Sequence, residues 1–386
     1  MTVVAVKEDW DVLLKFLPQG WEQKAGETGA IVRKRKIDSP ETILRLLLIH
    51  LADGKSLRTT VAYAREANLC WINDVSLLHR LRASGDWLRW MAENIRDQIS
   101  STSDFNKFSE KFRIRLIDAT VISEPGNTGS DWRLHYSLLL SSLGCDTCKI
   151  SDYRLGESFV NFPVHPQDLL IGDRAYCNSQ GIMHVVHHGG EVVVRFHSTG
   201  LPLHNYRGGP FPLLSHLRTL MSGQVGDWNV YIKTKGGHLI KGRLIAVRKS
   251  QEAIERTKKS LRQKASRQQR KLKPETLEYG EYFIVFTTVN RHKLKSDEVL
   301  SLYRLRWQIE LSFKRLKSIM DLGHLHKSDP ESCKSWLYGK LLVAFLVERI
   351  HQEAESFSPW GYPLRGGGRI QGAKNHSTLS QPLERN

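Results

Sequence analysis

Lys111-Phe112-Arg113-Ile114-Arg115-Leu116-Ile117-Asp118 is the stretch on which the fold turns. Alternate residues of a strand share a face, so Phe112, Ile114, Leu116 and Asp118 fall on one side, with Arg113 and Arg115 on the other. An acid ending an apolar strand face is held by packing yet left at the strand's exit. The turn-rich segments Pro125-Gly126-Asn127 and Gly144-Cys145-Asp146 then set off two further strands, Trp132 to Leu140 and Lys149 to Leu155, as in an antiparallel meander. Leu169-Leu170-Ile171-Gly172-Asp173 is an unbroken apolar run ending in a second acid. Such runs suit a central strand covered on both faces.

Working outward, residues 1 to about 105 read as short helices. Ser39-Pro40-Glu41 supplies a cap, a first-turn proline and an acid ahead of Ile43, Leu46, Leu47, His50 and Leu51. Ser56 to Asn68 and Asp74 to Ala83 follow, mixing apolar positions with Arg58, Arg65, His79, Arg80 and Arg82. That pattern permits a helix-turn-helix module, or equally a plain bundle with a solvated basic face. Beyond the second acid, Val192 to Phe196, Trp228 to Lys233 and Leu239 to Val247 are strand-like and read as an inserted unit. Gln251 to Lys273 is a helix whose nine basic residues face only Glu252 and Glu255, solvated unless an anion covers it. Tyr282 to Val289 returns to strand, Asp297 to Met320 is one long helical run, and an apolar helix follows at 335–350.

The bulk properties narrow the class of partner. The 386 residues carry 57 Lys plus Arg against 40 Asp plus Glu, a net charge of +17, which favours polyanions and nucleic acid first. With 40% hydrophobic and 25% charged residues the chain is ordinary globular protein, long enough for more than one compact unit. Cys70, Cys145, Cys148, Cys177 and Cys333 form no disulfide framework, and the lone Cys145-x-x-Cys148 lacks the second pair a zinc ribbon needs. The acidic Glu8 and Asp9 argue against a signal peptide. The longest apolar stretches fall short of the roughly 20 residues that span a bilayer.

Tyr303-Arg304-Leu305-Arg306-Trp307-Gln308-Ile309-Glu310, continuing through Lys314 and Lys317, carries the most chemical information. On a helix the spacings 3, 4 and 7 put Tyr303, Arg306, Glu310 and Lys317 within an arc of about 60°. Leu302, Leu305, Ile309, Phe313, Leu316 and Met320 take the neighbouring arc. Alone, this is equally an amphipathic helix with surface ion pairs. Together with two strand-borne aspartates it suits phosphodiester chemistry, which needs clustered carboxylates to hold two hard metal ions about 4 Å apart. Asp131, Asp152 and Asp168 compete as ligands but rank lower, Asp131 and Asp168 reading as turn or cap residues, and His184, His187 and His188 read as a surface cluster. Trp228 reads as a half-buried strand residue rather than a stacking platform.

Leu116-Ile117-Asp118-Ala119-Thr120 with Asp131 to Tyr136, Ile171 to Tyr176, the Tyr303 array, and Asp74 to Leu88 together resemble bacterial DDE transposases of the insertion-sequence-4 family. The array matches that family's Y-(2)-R-(3)-E-(6)-K signature at every position. The resemblance implies an α/β fold: a ribonuclease-H-like mixed sheet flanked by helices, with an inserted β-rich subdomain and an N-terminal all-helical DNA-binding region. Its parts would be a helical region at 1–105, catalytic segments at 106–190 and 281–350, a β-rich insertion with its basic helix at 191–280, and a disordered tail at 351–386. That tail, with Gly366-Gly367-Gly368, reads as shortened relative to the family.

The resemblance further implies Asp118, Asp173 and Glu310 as catalytic metal ligands for two Mg2+ ions, with Mn2+ able to substitute. Tyr303, Arg306 and Lys317 would contact the transposon end, with Lys314, Arg174 and Arg80 also at DNA. The implied activity is cleavage at the ends of an insertion sequence and joining of the 3′-hydroxyls to target DNA, by a homodimer on double-stranded DNA in the bacterial cytoplasm, at the nucleoid. The alternatives are a transposase-derived DNA-binding protein defective in assembly and a nuclease acting on branched DNA.

Overall fold

The computed structural model describes residues 10–32, 37, 39–99, 111–126, 132–233, 237, 239–318, 320–323, 325 and 329–356. Asp131 and the tail from 357 lie outside the described residues. A short helical stretch at 10–14 is followed by α1 (Trp21–Glu27), α2 (Pro40–Ala52), α3 (Leu57–Glu66), α4 (Asp74–Ala83) and α5 (Gly85–Gln98). Ser39, Ser56 and Asn73 cap α2, α3 and α4 by accepting the backbone N–H three residues on, which satisfies first-turn donors that would otherwise be unpaired.

The sheet opens with β1 (Arg113–Ile122), β2 (Trp132–Leu139) and β3 (Gly144–Asp152), the expected antiparallel meander, but Gly144-Cys145-Asp146 is not the turn: it begins β3, and the turn falls at 140–143. β4 (Asp168–Gly172) lies parallel to β1, and after α6 (Ser179–His187) comes β5 (Glu191–Arg195), parallel to β4. All five residues of β4 are buried, because β1 and β5 flank it and apolar layers cover both faces. The order β3-β2-β1-β4-β5 with this mix of directions is the expected ribonuclease-H-like sheet.

The sheet continues through β6 (Leu203–His204), α7 (Leu213–Arg218), β7 (Val225–Lys233), β8 (Leu239–Arg248), α8 (Gln251–Arg267), α9 (Pro274–Tyr279) and β9 (Tyr282–Thr287). β9 pairs with β5, and β8 with β9, so the strands of the β-rich segment hydrogen-bond directly onto the central sheet, giving nine strands in one.

Along each strand, alternate residues feed two cores. Ile114, Leu116, Leu169, Ile171 and Val193 face a helical layer made of the N-terminal helices, α10 (Ser296–Arg304), α11 (Trp307–Ser318) and α12 (Pro330–Ser356). Ile117, Leu170, Val192 and Val194 face α6 and the segment around Phe159. In the first core α12 packs along α5, α4 and α2. A Cβ at Gly339 would come within 2.3 Å of Leu51, so glycine is what lets α12 approach α2 so closely.

The run from Asp297 to Met320 is not one helix. Leu305 and Arg306 form a turn between α10 and α11, where the N–H groups of 305, 306, 308 and 309 bond to carbonyls three residues back. Such tight 3₁₀-type bonding shortens the repeat for a single turn and then releases it, so the apolar stripe continues across the break.

Candidate functional site

The register Arg113↔Asp168 to Leu116↔Ile171 between β1 and β4, carried two residues further, sets Asp118 level with Asp173. Both lie on the face of Leu116 and Ile171, beneath α10 and α11. α11 packs over β1, where Lys317 Nζ donates to the Val121 carbonyl at 3.2 Å, and reaches β2 through an edge-on contact of Phe313 with Tyr136 at 5.7 Å. Arg306, in the turn before α11, places Nη1 3.5 Å from Asp118 Oδ2 and bonds through Nη2 to Glu310 Oε1. One guanidinium thus bridges the strand acid and the helix acid.

The rest of the array keeps the same side. Tyr303 is buried edge-on against Phe283 at 5.5 Å, whereas Glu310, Lys314 and Lys317 are exposed. Arg174 follows Asp173 and is exposed. Arg80 stands elsewhere, on α4, where its guanidinium donates to the Ala30 carbonyl at 3.3 Å. The start of α10, and with it the array, is tied to the β-rich segment by Asp227 of β7, which accepts from Ser296 Oγ at 2.6 Å, from Arg243 and from Arg291. Burial alone would raise that carboxyl; these hydrogen bonds outweigh it and hold Asp227 well below the usual carboxylate range.

The electrostatics mark the two aspartates as a pair. Burial pushes the Asp118 carboxyl up to about 7 against the opposing hydrogen bond from the Ala119 N–H, and the charge of Asp173 adds to the rise. Glu157, in the loop after β3, is raised by burial and by Asp173 and lies 3.8 Å from Arg133. It is a further acid that sequence reasoning missed: a single glutamate between Gly156 and Ser158 in a loop has no periodicity to betray it. Tyr176 is wholly buried, and its hydroxyl has no hydrogen-bond partner among the described residues while feeling Asp118, Glu157 and Asp173.

A divalent cation fits this donor set. Oxygen-only ligands suit hard ions, and a carboxyl driven toward neutrality by its neighbour is one that a cation would return to the charged form. Among the described residues, however, no three His, Cys, Asp or Glu side chains are gathered closely enough to hold a metal ion. Glu310 is turned to Arg306 instead of toward Asp173.

The raised Asp118 carboxyl has a stability consequence with a definite sign. Its folded value lies above its ordinary one, so the metal-free protein binds the extra proton and loses stability as pH rises from about 4 to 7. Asp118→Asn is expected to be more stable than the parent at pH 8 in EDTA, by a few kcal/mol at roughly 1.4 kcal/mol per unit. Urea unfolding checks this: the gain should vanish below pH 4, and a gain equal at both pH values would contradict the assignment.

The competing residues have other roles. Asp168 is not a solvent-facing turn residue; it is fully buried, paired with Arg115 at 3.0 Å while accepting the His165 N–H. Asp152 closes a turn by accepting the Arg154 N–H. The His184 and His188 rings meet at 4.6 Å, tilted by 54°, at the end of α6, and bond to the Phe162 and His184 carbonyls. Trp228 is half-buried, edge-on to His216. None of the five cysteines is in a disulfide among the described residues. No helix among the described residues is long and apolar enough to cross a membrane.

The family model of the transposase DDE domain matches residues 110–346. The chain is 32% identical over 366 residues to the putative transposase InsL for insertion sequence element IS186A of Escherichia coli (strain K12), covering 91% of this chain and 96% of that protein. It is equally 32% identical, over 367 residues, to the transposase for insertion sequence element IS421 of Escherichia coli, with the same coverage. A shorter match, 46% over 50 residues, joins 13% of the chain to 10% of the transposase for insertion sequence element IS231F of Bacillus thuringiensis subsp. israelensis.

Proposed function

The chain belongs to the transposase DDE domain family, and from that premise we propose that it is an insertion-sequence transposase, cutting DNA at the element's ends and joining the 3′-hydroxyls to target DNA as a homodimer. Asp118, Asp173 and Glu310 are the residues that would hold two Mg2+ ions, or Mn2+ in their place. When bound, such ions supply an activated water and charge stabilisation at the phosphodiester.

The observation that carries the reading is the pairing of Asp118 with Asp173 at one level of the sheet, beneath a helix that lays Arg306, Glu310 and Lys317 across β1. Arg306 and Lys317 offset the charge that builds on the phosphate, and Arg306 is already oriented by two carboxylates. Tyr303 is packed too tightly to wander and presents its hydroxyl near Arg306 and Asp173. Lys314 and Arg174 extend the cationic rim, and Arg80 serves the helical region's hold on DNA.

The test uses a supercoiled plasmid carrying the sequences that flank the coding region. Cutting at the element's ends is expected in Mg2+ or Mn2+ and should stop in EDTA. Cutting that persists in EDTA, or tight binding with no cutting under any metal, rules the proposal out.

A further inference from the structure

One residue past Asp173 a second charged feature begins. Arg174 and Arg195 line a cleft of about 460 Å3, whose walls are the chain after β5 (196–199) and the ends of β9 on one side, and α8, residues 268–273 and α9 on the other. Lys264, Arg270, Lys271 and Lys273 stand along it, all exposed. No aspartate or glutamate lines it, and none of these six cations forms an ion pair among the described residues. Arg195 is mostly buried, its guanidinium 3.6 Å from the centre of the Phe283 ring, and its Nη1 is buried with no hydrogen-bond partner.

Cations crowded in this way repel one another. Burial and then Arg174 lower Arg195 to about 10, and burial, Arg195 and Arg174 lower Lys249 to about 8. Lys249 is itself satisfied, donating to Thr257 Oγ1 and the Gly280 carbonyl, so it fixes α8 against the turn before β9. Among the described residues the six others have no ion-paired acid to neutralise them. Such a concentration of positive charge attracts an anion from outside.

We infer that the cleft holds a single unpaired DNA strand, with Arg174 and Arg195 on a phosphate beside the cut and Lys264, Arg270, Lys271 and Lys273 along the phosphates that follow. The volume of about 460 Å3 is that of a small-ligand pocket, room for a few nucleotides of one strand and not for a turn of duplex. A basic groove with an aromatic wall is the usual form of a single-strand site, and half-buried Tyr279 lines this one. The strand's place beside the cut rests on the proposed cutting site; its binding does not require metal.

The experiment is fluorescence anisotropy on the full chain in EDTA, with a blunt duplex and the same duplex carrying a short single-stranded extension. The extension is expected to tighten binding roughly ten-fold. Arg195→Gln with Lys271→Gln should remove that gain, lower the slope of log affinity against log salt by about 1.4, and leave blunt-duplex binding unchanged. Because Arg195 packs on Phe283, the exposed pair Arg270→Gln with Lys271→Gln provides a version that spares the fold. An extension that adds nothing, an equal loss on both probes, or inorganic phosphate displacing the extended probe as well as free single strand does would overturn the inference. Loss of cutting in Mg2+ with the extension's effect intact would count against the cutting site and not against the cleft.

Discussion

Glu310→Gln is expected to lower nicking of an element-end duplex in Mg2+ by at least about a thousand-fold while leaving DNA binding and stability near those of the parent. The side chain is 57% exposed and its partner in the fold is Arg306, an exposed-type pair worth no more than about 1 kcal/mol. Glutamine keeps the size and one oxygen but not the charge, so the loss falls on the carboxylate's chemistry. With Glu310 neutral, Arg306 turns fully to Asp118, 3.5 Å away, which leaves the strand acids compensated by an arginine. Nicking and mobility shift on one preparation, with circular dichroism as the folding control, decide the matter. A variant that still cuts at more than a tenth of the parental rate would remove Glu310 from the reaction.

Much of this arrangement was legible because strand and helix periods are local. Period-2 alternation placed Asp118 on the face of Leu116, and the unbroken run Leu169 to Gly172 announced a strand buried on both sides. What local pattern cannot carry is which strands pair and at what register. The level match of Asp118 with Asp173 is a tertiary fact, as is the joining of β9 and β8 to β5. The break at Leu305-Arg306 escaped because one tight turn hardly shifts the phase of an apolar stripe. Arg115 and Asp168 look like surface charges in any hydropathy reading, since burial of a charge depends on a partner distant in sequence.

That last pair supports the other large effect. Asp168→Asn is expected to destabilise the protein by about 3–5 kcal/mol, the cost of breaking a buried ion-pair network that then leaves Arg115 with Asp146 alone. Arg115 has no exposed surface and spends its guanidinium on Asp168 at 3.0 Å, Asp146 at 2.7 Å and the Pro163 carbonyl at 2.6 Å. Asp168 in turn accepts from Arg113 at 3.1 Å and from the His165 N–H at 3.0 Å. The network clamps β1, β3 and β4 at the ends of β1 and β4 opposite to Asp118 and Asp173. Its loss should therefore lower the urea midpoint sharply yet leave nicking within a few-fold of the parent well below the unfolding transition. Asp173→Asn should do the reverse. If Asp168→Asn costs under about 1 kcal/mol, Asp146 alone suffices to neutralise Arg115 and the Asp168 clamp is not what holds the strand ends together. If it instead abolishes nicking in a protein that stays fully folded, Asp168 belongs with the acids of the site and the division between the two ends of the sheet fails.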